Sequence, residues 1–82
     1  MDAAQVTELV QEAFPDCQVE AQVDGSHYMV VVVGDVFEGL PTIKRQQMIN
    51  KALFQYVMDG TIHALHPKAF TPSEWADQQA GA

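Results

Sequence analysis

The chain has 82 residues, 48% hydrophobic, 9% aromatic and 18% charged, which is enough for one domain with one modest core and is unlike a disordered or low-complexity composition. A single cysteine excludes an intramolecular disulfide and any cysteine-rich zinc framework, and the longest apolar run, Tyr28 to Val33, is far too short to span a bilayer. The net charge of −7 has the wrong sign for sequence-independent binding to a phosphate backbone. With no basic, apolar leader at Met1, these features lead us to expect a soluble, cytoplasmic, monomeric protein with no membrane contact.

Val6, Leu9, Val10, Ala13 and Phe14 repeat at helical spacing, so the first element is an amphipathic helix that Asp2 caps and Pro15 ends. From Gln18 the period changes to two. Val19, Ala21 and Val23 alternate with polar residues, which predicts an edge strand with one wet face. Asp24-Gly25 supplies a tight reversal, and Tyr28 to Val33 lacks alternation, which predicts a central strand buried on both faces. Val36 to Pro41 reads as a loop anchored by Phe37 and Leu40, with Gly39 as a permissive position.

Pro41 opens a helical region in which a short turn over Thr42 to Arg45 precedes a main helix. Ile49, Ala52, Leu53, Tyr56 and Val57 form the stripe of that helix, and Asp59-Gly60 closes it. Thr61 to Leu65 is expected to form a third short strand stopped by Pro67, which puts His63 near a sheet edge or end. Thr71-Pro-Ser-Glu74 has the pattern of a capping box with proline at the first helical position, and Trp75 gives the last helix an apolar anchor expected to be core. The resulting order, α-β-β-α-(α)-β-α, describes one α+β domain over residues 1–82: a two-layer sandwich with helices on a three-stranded mixed sheet.

Charge is uneven along the chain. Lys44, Arg45 and Lys51 give the acid-free stretch Leu40 to Met58 a charge of +3, while the remainder carries −10. That stretch is either an ordinary solvated helix face or a docking surface for an acidic or thiolate-bearing partner. No nucleophile paired with a base, phosphate loop or recognisable carboxylate pair is present, so an enzyme is not expected.

Four separated motifs carry a family resemblance: Gly25-Ser26-His27-Tyr28 leading into a valine-rich strand, Phe37-x-Gly39, Ile62-His63-Ala64-Leu65, and Phe70-Thr71-Pro72-x-Glu74-Trp75. In this order they resemble the BolA-like family across almost the whole chain. Lys44-Arg45-Gln46-Gln47 resembles its acid-stress branch rather than the branch with an Arg-His-Arg triplet at this place.

The resemblance implies a fold like class II KH domains. It also implies partnership with a monothiol glutaredoxin in a heterodimer bridged by a [2Fe-2S] cluster, in iron-sulfur trafficking or in iron or stress regulation. The glutaredoxin cysteine and a glutathione thiolate would supply sulfur. A histidine matching His63 would be one ligand from this chain, and the loop between the first two strands normally provides a second, histidine or cysteine. In this chain that loop, Asp24 to Ser26, contains neither, so the second ligand is His27, Cys17 or another group.

Imidazole suits iron, and a lone cysteine is commonly a small buried hydrophobe. The expected order of importance is therefore His63, then His27, then Cys17. His66, three residues beyond His63, is expected to face the opposite way and to be a surface residue. The competing reading, a nucleic-acid-binding regulator, draws on the KH-like architecture and the basic stretch. A KH domain clamps the backbone with a GxxG loop, which this sequence lacks, so only weak nucleic-acid binding is expected.

Overall fold

In a computed structural model, which describes residues 1–80, the order is α1 (Ala3–Ala13), β1 (Gln18–Asp24), β2 (His27–Val33), a 3₁₀ turn (Asp35–Phe37), α2 (Thr42–Met58), β3 (Ala64–Phe70) and α3 (Pro72–Ala80). The sheet order is β1-β2-β3, with β1 antiparallel and β3 parallel to β2. It is the expected α+β architecture, with β1 at an edge and β2 central.

Local chemistry accounts for the element ends. Asp2 Oδ1 accepts from the Gln5 N–H at 2.9 Å while Gln5 Oε1 accepts from the Asp2 N–H at 3.0 Å, a reciprocal cap on α1. The same device opens α3: Thr71 Oγ1 accepts from the Glu74 N–H at 3.3 Å, and Glu74 Oε1 accepts from the Thr71 N–H at 2.8 Å. Gly60, at φ +84°, takes the left-handed conformation that ends α2.

α1 and α2 cover one face of the sheet. Val6 and Val10 of α1, Ile49 and Leu53 of α2, and Val30 and Val32 of β2 are fully buried between the layers, together with Phe37 from the 3₁₀ turn and Ile62 from the loop before β3. Tyr28 joins them and donates its hydroxyl to the Met1 carbonyl at 3.1 Å.

Four sequence expectations change, the third strand being the last. β2 is buried on both faces only at its C-terminal end, where the adjacent Val32 and Val33 are both buried; nearer its start His27 is exposed and Met29 is 40% exposed. Over the first half of the strand its apolar residues reflect the packing needs of a pleated, half-buried surface rather than double burial. The turn at Thr42 to Arg45 is simply the start of a continuous α2, and the separate short turn lies earlier, at Asp35–Phe37. Trp75 lies outside the main core, half-buried, its ring 5.2 Å from that of Phe70.

The third strand also differs from expectation, since β3 begins at Ala64 and runs through Pro67 to Phe70. The Ala64 N–H donates to the Ser26 carbonyl at 3.2 Å, and the Phe70 carbonyl accepts from the Gly34 N–H at 3.0 Å. Even-numbered residues of β3 therefore direct their backbone groups toward β2, and odd-numbered ones direct them to the open edge. Pro67 is odd, so its missing N–H leaves no gap in the ladder.

At the other end of the sheet, Gly34 has an extended backbone, φ −175°, which any residue adopts. A side chain there is excluded for a different reason: a Cβ on Gly34 would overlap Cys17 Sγ. Gly34→Ala is expected to cost about 1–3 kcal/mol by overpacking. Urea unfolding of the single and double variants checks this, since much of the cost should disappear in a Cys17→Ala background. An equal cost in both backgrounds would mean that the thiol is not the obstacle.

Candidate functional site

One end of the sheet gathers the histidines. The Asp24–His27 turn and the loop between α2 and β3 meet there, because His27 is the register partner of Ala64. The loop is tied down at successive points. Asp59 Oδ1 accepts from the Thr61 N–H at 2.9 Å, and hydrogen bonding by the Thr61 side chain first, with this backbone N–H second, holds the Asp59 carboxyl below its ordinary pKa. Ile62 donates its N–H to the Tyr56 carbonyl at 3.0 Å and is buried in the core. Ala64 is then bonded to Ser26. His63 lies between a buried residue and a strand-paired one, exposed but on a fixed backbone.

His27 and His66 lie on the open face of the sheet, one strand apart. Met29 and His66 are register partners, so His27 and His66 are diagonal neighbours across the parallel β2–β3 pair. His27 Nδ1 and His66 Nε2 are 3.2 Å apart. The His27–His66 contact was not legible in the sequence, because a strand ending before Pro67 leaves His66 outside the sheet. The signal that could have found it is the alternation Leu65, Pro67, Ala69 toward the core, with His66 between.

Cys17 is elsewhere. It precedes Gln18, the register partner of Val33, whereas His27 pairs with Asp24 at the far end of the hairpin. A strand of 7 residues separates the two ends, about 20 Å. Burial, and secondarily the charges of Asp16 and Asp35, push the Cys17 thiol above its ordinary pKa, which disfavours the thiolate. Cys17 is thus a packing residue against Gly34 and cannot act together with His63 on one cluster. Among the described residues, no group of three histidine, cysteine or acidic side chains is arranged to hold a metal ion.

The expected basic surface also divides. Arg45, with only 13% of its side chain exposed, donates Nε–H to the Leu40 carbonyl at 2.8 Å and Nη1–H to the Ala69 carbonyl at 3.4 Å and to Glu74 Oε1 at 2.6 Å. It joins α2, the open edge of β3 and the start of α3, and its charge is matched by Glu74. Arg45 serves the fold rather than a docking surface. Lys44 and Lys51 remain exposed, two helical turns apart and so on one face of α2.

The Arg45 hydrogen bond, with that of the Thr71 N–H, holds the Glu74 carboxyl down at about 2, against an ordinary value of 4.5. A carboxyl depressed in the fold contributes stability that is complete above 4.5 and disappears as pH falls toward 2. The melting temperatures of the parent and Glu74→Gln should therefore differ at pH 6 and converge by pH 2. Arg45→Ala should cost about 1.5–3 kcal/mol at neutral pH, the range for hydrogen bonds to charged groups. A constant gap across that pH range would show that Glu74 does not act through its charge.

Comparison with known proteins places this arrangement. Residues 5–74 match the family model described as BolA-like protein. The chain is 37% identical over 76 residues to the acid stress protein IbaG of Escherichia coli strain K12, covering 93% of this chain and 90% of that protein. Among solved structures it is similar to a BolA homologue from Coxiella burnetii, with a TM-score of 0.79, 28% identity and coverage of 93% and 97% of the two chains. The BolA domain of SufE1 from Arabidopsis thaliana gives a TM-score of 0.75 and 26% identity, over 88% and 93%. Together with the three-stranded mixed sheet and its helical layer, these matches make the chain a member of the BolA-like family.

Proposed function

We propose that this protein is the partner of a monothiol glutaredoxin, with which it shares a [2Fe-2S] cluster in iron-sulfur trafficking or in iron or stress regulation. The observation that carries the reading is His63: an exposed imidazole whose backbone is pinned on both sides, by buried Ile62 and by strand-paired Ala64. Such a group can offer a nitrogen to a metal outside the chain without reorganising the fold.

The donor chemistry present fits a shared cluster better than a resident one. Imidazole is a suitable iron ligand, and replacing thiolate by imidazole on one iron raises a cluster's potential. His63 and His27 stand at the same end of the sheet, and no cysteine lies there, so the sulfur ligands must come from the partner. Lys44 and Lys51, exposed on one face of α2 in an otherwise acidic chain, would steer encounter with an acidic or thiolate-bearing surface. Nucleic acid is the weaker reading on the same geometry, because Arg45 is already paired and leaves only two of the three cations of that stretch exposed.

The test is anaerobic reconstitution of the chain with a monothiol glutaredoxin, glutathione, iron and sulfide. A visible charge-transfer spectrum distinct from that of the glutaredoxin alone, co-eluting with a heterodimer, is expected. A spectrum identical to that of the glutaredoxin homodimer, with this chain eluting separately, would overturn the proposal.

A further inference from the structure

His27 is a candidate cluster ligand, but its pairing with His66 has a geometry that the cluster-sharing role does not require. The ring planes are inclined by only 15°, the centroids are 5.4 Å apart, and Nδ1 of His27 faces Nε2 of His66 at 3.2 Å. An imidazole nitrogen extends about 1.2 Å from its ring centre, by ring geometry, so the rings meet nearly edge to edge along the N···N line rather than as a face-to-face stack. One nitrogen donates a proton and the other accepts it.

We propose that His27 and His66 form a two-imidazole chelate for a single divalent transition-metal ion of borderline character, zinc(II) being the representative. Two metal–nitrogen bonds of about 2.0–2.1 Å that span this 3.2 Å gap meet at roughly 100–106°, close to the tetrahedral angle. The nitrogens are therefore already at chelating separation. Modest rotation of two exposed rings aims both lone pairs at one ion lying off the N···N line. The ring that donates in the metal-free pair moves its proton to its other nitrogen, so both rings ligate in the neutral form and no net proton is lost.

The setting supports the assignment. Both residues are on hydrogen-bonded strands, His27 opening β2 and His66 within β3, so their Cα separation is fixed by the sheet. Asp24, the register partner of His27, is exposed on the same face and favours a cation, while Lys68, two residues beyond His66, opposes it. No third side chain completes the set among the described residues, so the remaining positions belong to water or an external donor. Two imidazoles without thiolate select zinc, copper or nickel rather than calcium or magnesium.

The site shares His27 with the proposed cluster site, but its test needs neither glutaredoxin nor cluster. Zinc(II) is titrated into the isolated 82-residue chain by calorimetry, with the imidazole nitrogens followed by ¹⁵N NMR. The expected result is one zinc per chain, with His27 Nδ1 and His66 Nε2 shifting most. His27→Ala and His66→Ala should each weaken binding by at least about 10- to 100-fold, the loss seen when even an outer-shell partner of a ligand is removed. Both rings are exposed, so circular dichroism of these variants should match the parent. Cys17→Ser and His63→Ala should keep the parent affinity. Absence of 1:1 binding, undiminished binding in His66→Ala, or a loss in His63→Ala equal to that in His66→Ala would overturn the assignment. None of those outcomes bears on whether a mixed cluster forms.

Discussion

Phe37→Ala should cost about 3–5 kcal/mol, the usual range for removing a buried aromatic ring. The residue is in a short 3₁₀ turn rather than in a regular element, yet it is fully buried, with its ring centroid 5.7 Å from that of Phe14 at an angle of 44°. It joins the end of β2 to the start of α2 and fills the core beside the C-terminal end of α1. A single small domain has about 5–15 kcal/mol of stability in total, and an 82-residue chain buries a smaller share of its surface than larger ones. The variant should melt at least about 12 °C lower, and urea unfolding should give the same energy. Val36→Ala, the neighbouring change at a residue 48% exposed, should stay within about 0.5 kcal/mol. If Phe37→Ala cost no more than Val36→Ala, the turn would be a surface loop and not part of the core.

The elements that follow local rules were legible in the sequence. The stripe from Val6 to Phe14 became α1, the alternation Val19, Ala21, Val23 became the edge strand, and Thr71 with Glu74 formed the capping box. Non-local pairing was not legible. Pro67 stops a strand only where its nitrogen faces a neighbouring strand, and that depends on the β2–β3 register, which local composition does not encode. The same missing register hid the His27–His66 pair. The valine run of β2 does not reveal how many layers of helix the sheet carries. Arg45 resembled its neighbour Lys44 in sequence, but a guanidinium can satisfy two carbonyls and a carboxylate at once, and the fold uses it for that. The motif residues His63 and His27 were picked out in the sequence by family resemblance, since nothing in their local periodicity distinguishes a ligand from a solvated side chain.

On the proposed cluster-sharing role, His63→Ala should shorten the lifetime of the mixed cluster by at least about 10- to 100-fold, because losing a ligand costs no less than losing a group that orients one. His63 is exposed, so its removal takes no atoms from the core and leaves the proposed docking face of α2 intact. The spectrum should therefore fade while co-elution with the glutaredoxin persists. His27→Ala should have a smaller effect, and His66→Ala smaller still, since His66 meets the site only through His27 Nδ1. Cys17→Ser should leave the cluster unchanged: the thiol is one strand length away and is held protonated by burial, with nearby negative charge adding to the effect. The measurement is the visible spectrum and decay of each reconstituted complex, after circular dichroism has shown the variant folded. Should Cys17→Ser abolish the cluster while His63→Ala leaves its lifetime untouched, the cluster would have to be placed at the Gly34 end of the sheet, and the loop between α2 and β3 would lose its ligand-bearing role.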